Sequence, residues 1–119
     1  MPHCTLEFSK NINFLGNKKS LLLKINKCLA RTNLFDLNLI KSRLIIHDNY
    51  CVGNGKTNKA FVSLNLSIFE GREQKVKNTI SEKCIELLKD EFESEIKLDN
   101  LNITVQITEM NKESYRKMN

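Results

Sequence analysis

Hydrophobic and polar positions alternate along four stretches of the chain, which is the period of a β-strand with one buried face. The alternation is clearest in "FVSLNLSI", where Val62, Leu64, Leu66 and Ile68 are separated by polar residues. The stretch "LNITVQIT" near the C-terminus has the same pattern. The four predicted strands are Pro2–Phe8, Leu39–Asp48, Phe61–Ile68 and Leu101–Thr108.

Two other stretches have the period of an amphipathic helix. In "NKKSLLLKINKCLART", Leu22, Ile25 and Leu29 form one stripe with Cys28 beside it, and Asn17 is suited to cap the start. The second predicted helix covers about residues 73–95 and is closed by "LDN". Its apolar positions are Val76, Ile80, Cys84, Leu87, Leu88 and Phe92.

The order of these elements is β-α-β, a loop, and β-α-β again. A chain of 119 residues suits one domain. We therefore predict a single domain over residues 1–119, with two units at about 2–48 and 60–108 and a polar tail over 110–119. Right-handed crossovers place both helices on one face of a shared four-stranded mixed sheet, which is an α+β fold. The loop between the units contains "GNG", the signature of a turn.

The sheet face opposite the helices is unusual because its residues in the last two strands carry no charge. They are Ser63, Asn65, Ser67, Asn102, Thr104, Gln106 and Thr108. Uncharged polar side chains suit a partly buried surface that exchanges hydrogen bonds with another molecule. This pattern predicts a subunit interface in a homo-oligomer. An exposed Ser/Thr/Asn-rich sheet face is the alternative.

Charge and cysteine content narrow the classes of partner. The net charge is +5, which favours an anionic ligand. The four cysteines lie in no CxxC spacing, so the sequence predicts no metal site. We expect a cytoplasmic protein without a membrane partner, since neither a secretory signal nor a long apolar run is present. The lysines of the first helix could bind nucleic acid, but a solvated helix face explains them as well, so we expect no nucleic-acid partner.

Pro2 is the only proline and directly follows Met1. Met-Pro is a junction at which the initiator is usually removed, and removal leaves a rigid secondary amine at the N-terminus. Burial and nearby cations would lower the pKa of this amine towards neutrality, where a general base is most effective. The alternative is that Pro2 only begins an edge strand, where its missing N–H is harmless.

The sequence resembles the 5-carboxymethyl-2-hydroxymuconate isomerase family of the tautomerase superfamily over most of its length. The resemblance rests on "MPHCTLEFSKNI", "ARTNLFDLNLIKSRLIIHD" and "KAFVSLNLSIFEGREQ", with "KAFV" and the following "GR" as the most specific elements. It implies a tautomerase-like β-α-β repeat, a homotrimer, no cofactor and no metal. The implied activity is that of an isomerase acting on a small anionic carboxylate substrate.

The resemblance also implies roles for individual residues. The base falls on Pro2, and an arginine before the second helix falls on Arg72. The family's "IRSR" stretch is "IKSR" here, so Lys41 replaces an arginine while Arg43 is kept. Lys41 and Arg43 lie on one face of a strand, where one of them could bind a substrate carboxylate; the alternative is a pair of exposed strand charges. His3, His47 and Tyr115 receive no role. A non-catalytic module of the same fold, binding an anionic ligand or a protein, is the alternative function.

Overall fold

A computed structural model describes residues 1–56, 58–95 and 100–119. The strands are β1 (His3–Ser9), β2 (Lys41–His47), β3 (Ala60–Phe69) and β4 (Leu101–Met110). The helices are α1 (Lys18–Ala30) and α2 (Gln74–Phe92), and a short 3₁₀ helix (Leu37–Leu39) precedes β2.

The four strands form one mixed sheet in the order β2-β1-β3-β4. β2 is parallel to β1, and β4 is parallel to β3, while the two central strands β1 and β3 are antiparallel. Each parallel pair is connected through one helix. The predicted α+β class, with a four-stranded mixed sheet and two helices, is confirmed.

The core lies between the helices and one face of the sheet, where every second residue of the two central strands β1 and β3 is buried. Along β3 the alternation is complete, and Leu64 and Leu66 are wholly inaccessible to solvent. α2 contributes Ile80, Cys84, Leu88 and Phe92 at helical spacing, all fully buried. The buried residues of α1 are Leu21, Ile25 and Leu29. Leu21, not the predicted Leu22, therefore occupies the buried stripe, and Leu22 packs at its margin.

Local signals account for most element ends. Asn17 Oδ1 accepts a hydrogen bond from Ser20 N at 2.9 Å, which confirms the predicted cap of α1. Gly53 and Gly55 both have positive φ angles, as the predicted turn requires. Thr57 in the connecting loop and most of the "LDN" segment lie outside the described residues.

Two boundaries differ from the prediction in ways that affect the site. Leu39 belongs to the 3₁₀ helix rather than to β2, because Asp36 caps that turn by accepting from Asn38 N. β4 extends through Met110, so the segment after the sheet begins at Asn111. That segment folds back on the sheet: the Tyr115 ring packs edge-on against Phe69, with centroids 5.0 Å apart.

No helix in the described ranges is long and apolar enough to cross a membrane.

Candidate active site

Four strand ends meet at one end of the sheet and bring the predicted site residues into one region. His3, the first residue of β1, is opposite Lys41 of β2 and Ser67 of β3. Ser67 is in turn opposite Thr108, near the end of β4. Pro2, Lys41 and the connection after β3 therefore lie at the same end of the sheet, although they are distant in sequence.

Pro2 is buried at this end, and its backbone is fixed by β2. Its carbonyl oxygen accepts a hydrogen bond from Lys41 N at 3.1 Å. The amine of Met1 donates to the carbonyl oxygen of Leu39 at 2.7 Å, and Lys41 Nζ donates to the same oxygen at 3.3 Å. The ammonium of Lys41 thus lies beside the amino terminus.

This environment disfavours a charged amine at the amino terminus. Burial lowers the pKa of the terminal amine below its ordinary value near 8.0, and the charges of Lys41 and Lys117 lower it further. A thiolate at Cys4 would raise this pKa. Burial raises the pKa of the Cys4 thiol to about 12, so Cys4 stays protonated near neutral pH and does not offset burial and the two lysines.

Arg43 and Lys41 lie on the same face of the sheet, as strand alternation predicts, and the structure shows that this is the face opposite the helices. The register partner of Arg43 in β1 is Thr5, and Lys41 pairs with His3 on the same face. Arg43 Nη2 is 3.2 Å from His3 Nδ1, and His3 Nε2 is 3.0 Å from the Tyr115 hydroxyl. A hydrogen-bonded chain therefore links Arg43, His3 and Tyr115 beside Pro2.

Arg72 lies at the same end of the sheet but has different neighbours. Gly71, with a φ of +106°, turns the chain after β3, and Arg72 then lies over the loop between α1 and β2. Its guanidinium carbon is 4.8 Å from the centre of the Phe35 ring, and Nη2 donates to Leu34 O at 3.4 Å. Among the described residues it has no hydrogen bond to Pro2, Lys41 or Arg43.

The donor set of this region suits an anion rather than a metal ion. Its side chains are mostly cationic or neutral donors, whereas metal ions need anionic or neutral acceptors. No cluster of three His, Cys, Asp or Glu side chains able to hold a metal occurs in the described part of the chain.

Residues 2–119 match the pattern of the family described as 5-carboxymethyl-2-hydroxymuconate isomerase. The chain belongs to this family. A curated relative, the 5-carboxymethyl-2-hydroxymuconate Delta-isomerase of Escherichia coli, is 31% identical over 110 residues, which are 92% of this chain and 87% of the relative. The sequence-based assignment to an isomerase family is confirmed.

Solved structures agree with this membership. A 5-carboxymethyl-2-hydroxymuconate isomerase from Deinococcus radiodurans R1 has 30% identity and a TM-score of 0.88, covering 99% of this chain and 89% of its own. A protein described as a fused 4-OT wild type symmetric trimer is only 12% identical, with a TM-score of 0.76 over 98% of this chain and 92% of its own. The second similarity shows that the fold is shared with a protein of much lower sequence identity.

The structure places His3, Tyr115 and Lys117 near the start of β1, where the sequence predicted no role for them. The position of His3 directly after Pro2 in the sequence is a signal that could have identified it. Tyr115 was the only aromatic residue in the polar C-terminal segment, which was a weaker signal. His47 belongs to the opposite end of the sheet, where it is 2.8 Å from Glu7 Oε1, so its exclusion from the predicted site agrees with the structure.

Proposed function

We propose that the chain is a cofactor-free isomerase that moves a proton within a small unsaturated 2-hydroxy or 2-oxo carboxylic acid. Pro2, freed by removal of Met1, is the base. The observation that carries this proposal is the burial of Pro2 next to Lys41, at a point where burial and Lys41 also lower the pKa of the amine of Met1. The Pro2 nitrogen is one residue away from that amine, and we expect burial and the neighbouring cations to act on it in the same direction once Met1 is removed.

The proposed reaction needs only a proton carrier. The neutral Pro2 nitrogen takes the hydroxyl proton of a 2-hydroxydienoate. The oxygen electron pair forms the 2-oxo group, and the double bonds shift along the chain. The far carbon then takes the proton back from Pro2. One C–H bond replaces one O–H bond, so neither an oxidant nor a reductant is required.

The cations around Pro2 have two tasks in this reaction. They bind the substrate carboxylates, and they stabilise the negative charge that develops on the substrate oxygen. Lys41 offers a point charge, whereas Arg43 and Arg72 offer planar donors that match a carboxylate. Of the two lysines that lower the pKa of the terminal amine, Lys41 has the larger effect, so the same side chain would bind substrate and influence the base.

The test is an ultraviolet assay of several 2-hydroxydienoates, including 5-carboxymethyl-2-hydroxymuconate, on protein whose intact mass shows loss of Met1. We expect conversion of at least one dicarboxylate. A mass-verified protein with free Pro2 that converts none of them would contradict the proposal. It would favour a ligand-binding module instead.

Replacement of Lys41 by methionine should move the acidic limb of the pH–kcat/KM profile to higher pH. The base works when unprotonated, so activity falls as pH drops through its pKa. Removing a cation that lowers this pKa raises it, and the base is then protonated at a higher pH. Lys27→Met removes the same charge from an exposed position on α1 and should leave the profile in place. An unshifted limb in Lys41→Met would disprove this influence.

We also propose a homotrimer whose interface is the uncharged polar face of β3 and β4. Asn102, Thr104, Gln106 and Thr108 are exposed in a single chain, although the face carries no solvating charge. The fused 4-OT protein of the same fold is a symmetric trimer, which supports this assembly.

The solution mass of the protein should equal three times the 13.8 kDa chain. Thr104→Lys should reduce it to that of one chain, because three lysines would be buried without partners. Thr79→Lys, at an exposed position on α2, is the matched control and should remain trimeric. A single-chain mass for the unaltered protein at micromolar concentration would refute the trimer.

A further inference from the structure

The C-terminal segment brings a tyrosine hydroxyl to the start of β1. Tyr115 is separated from His3 by 112 positions, yet its hydroxyl is 3.0 Å from His3 Nε2. Phe69 holds the ring at nearly a right angle, with an interplanar angle of 89°. Lys117, two residues later, is close enough to lower the pKa of the terminal amine. The segment therefore reaches the region around Pro2.

The direction of the hydrogen bonds in this chain is fixed by Arg43. A guanidinium has only donors and stays protonated in proteins. Arg43 must therefore donate to His3 Nδ1, which has to be an unprotonated acceptor. The remaining hydrogen of a neutral His3 is on Nε2, and this group donates to the Tyr115 oxygen. The Tyr115 hydroxyl hydrogen is thus left free to donate elsewhere.

Electrostatics favours the same arrangement. Burial lowers the pKa of His3, and the charges of Arg43, the terminal amine and Lys41 lower it further. His3 is consequently neutral at physiological pH, as these hydrogen bonds require. Tyr115 makes no other side-chain hydrogen bond within the described residues. Hydrogen bonds in such a series polarise one another, which makes the last donor stronger.

We propose that Tyr115 donates its hydroxyl hydrogen to the substrate oxygen that gains negative charge when Pro2 takes the proton, with His3 and Arg43 as positioning residues. This rests on the proposed isomerase function and adds a donor that the family resemblance did not supply. Tyr115 transfers no proton: its O–H bond stays intact, and the hydrogen bond strengthens as charge develops on the substrate.

The kinetic test compares Tyr115→Phe with Tyr50→Phe. Phenylalanine keeps the packing on Phe69 and removes only the hydroxyl. We expect kcat on the best 2-hydroxydienoate to fall about tenfold. KM should change little, because the lost interaction forms mainly in the transition state. Tyr50 is the second tyrosine, packs against Phe61 away from Pro2, and should tolerate the change.

The matching structural test is the tautomer of His3 by long-range ¹H–¹⁵N NMR. We expect neutral His3 with hydrogen on Nε2 at pH 7. Hydrogen on Nδ1, or a protonated ring, would overturn the proposed direction of the hydrogen bonds from Arg43 through His3 to Tyr115. If the parent protein is active and Tyr115→Phe has the same kcat, the role of Tyr115 is overturned, but the isomerase proposal is not. A parent protein that converts no substrate would overturn both this role and the isomerase proposal.

Discussion

Replacement of Pro2 by alanine is expected to lower kcat/KM by about 10²- to 10⁴-fold, the usual contribution of a positioned general base. Alanine also permits removal of Met1, so the variant keeps a free amino terminus. What it loses is the ring that fixes the direction of the nitrogen lone pair. Steady-state kinetics on the best 2-hydroxydienoate measures the effect.

Protein that retains Met1 provides the control for this prediction. Its Pro2 nitrogen is an amide without a basic lone pair, so we expect almost no conversion at any pH. Intact mass spectrometry separates the two forms before assay. Equal rates for Pro2→Ala and the parent, or full activity with Met1 attached, would rule out Pro2 as the base.

Replacement of Arg72 by alanine is the second large effect, with an expected loss of about 10²-fold in kcat/KM. Arg72 uses one donor on Leu34 O and holds its plane against the Phe35 ring. A guanidinium has five N–H donors, so most remain available for a carboxylate or a developing oxyanion. The stacked position restricts the side chain before substrate arrives, which reduces the entropy lost on binding.

Two further variants make the Arg72 result specific. Arg72→Lys keeps the charge but loses the planar, stacked donor group, so we expect it to recover only part of the activity. Arg31→Ala removes a guanidinium from an exposed position just after α1 and should leave kcat/KM unchanged. If Arg72→Ala were as active as the parent, Arg72 would have no role in catalysis, and its only role would be structural, through its contacts with Leu34 and Phe35.

Pro2 and Arg72 differ in how far the structure already supports them. Pro2 is buried at a point where the pKa of an amine is lowered, which suits a base. Arg72 lies at the same end of the sheet and contacts another loop. The Pro2 variants therefore test the base directly. The Arg72 variants test whether Arg72 and Pro2 contact the same bound substrate.

Most helices and strands can be predicted from the sequence, because hydrophobic period and turn chemistry are local properties. The alternation in β3, the helical spacing from Ile80 to Phe92 and the Asn17 cap each depend on residues within a few positions of one another. The shared face of Lys41 and Arg43 follows in the same way, since residues two apart on a strand point to one side. The roles predicted for Pro2 and Arg72 come from the family resemblance.

Which side chains meet at the start of β1 depends on how the whole chain folds. The contact between Tyr115 and His3 depends on where a polar segment folds after β4, and no periodicity encodes that. The meeting of Lys41 Nζ with Leu39 O depends on a 3₁₀ turn where alternation predicted strand. The first contact joins residues 112 positions apart, and the second depends on a local turn that alternation does not reveal, so both, and the pKa values that follow from them, come from the folded chain.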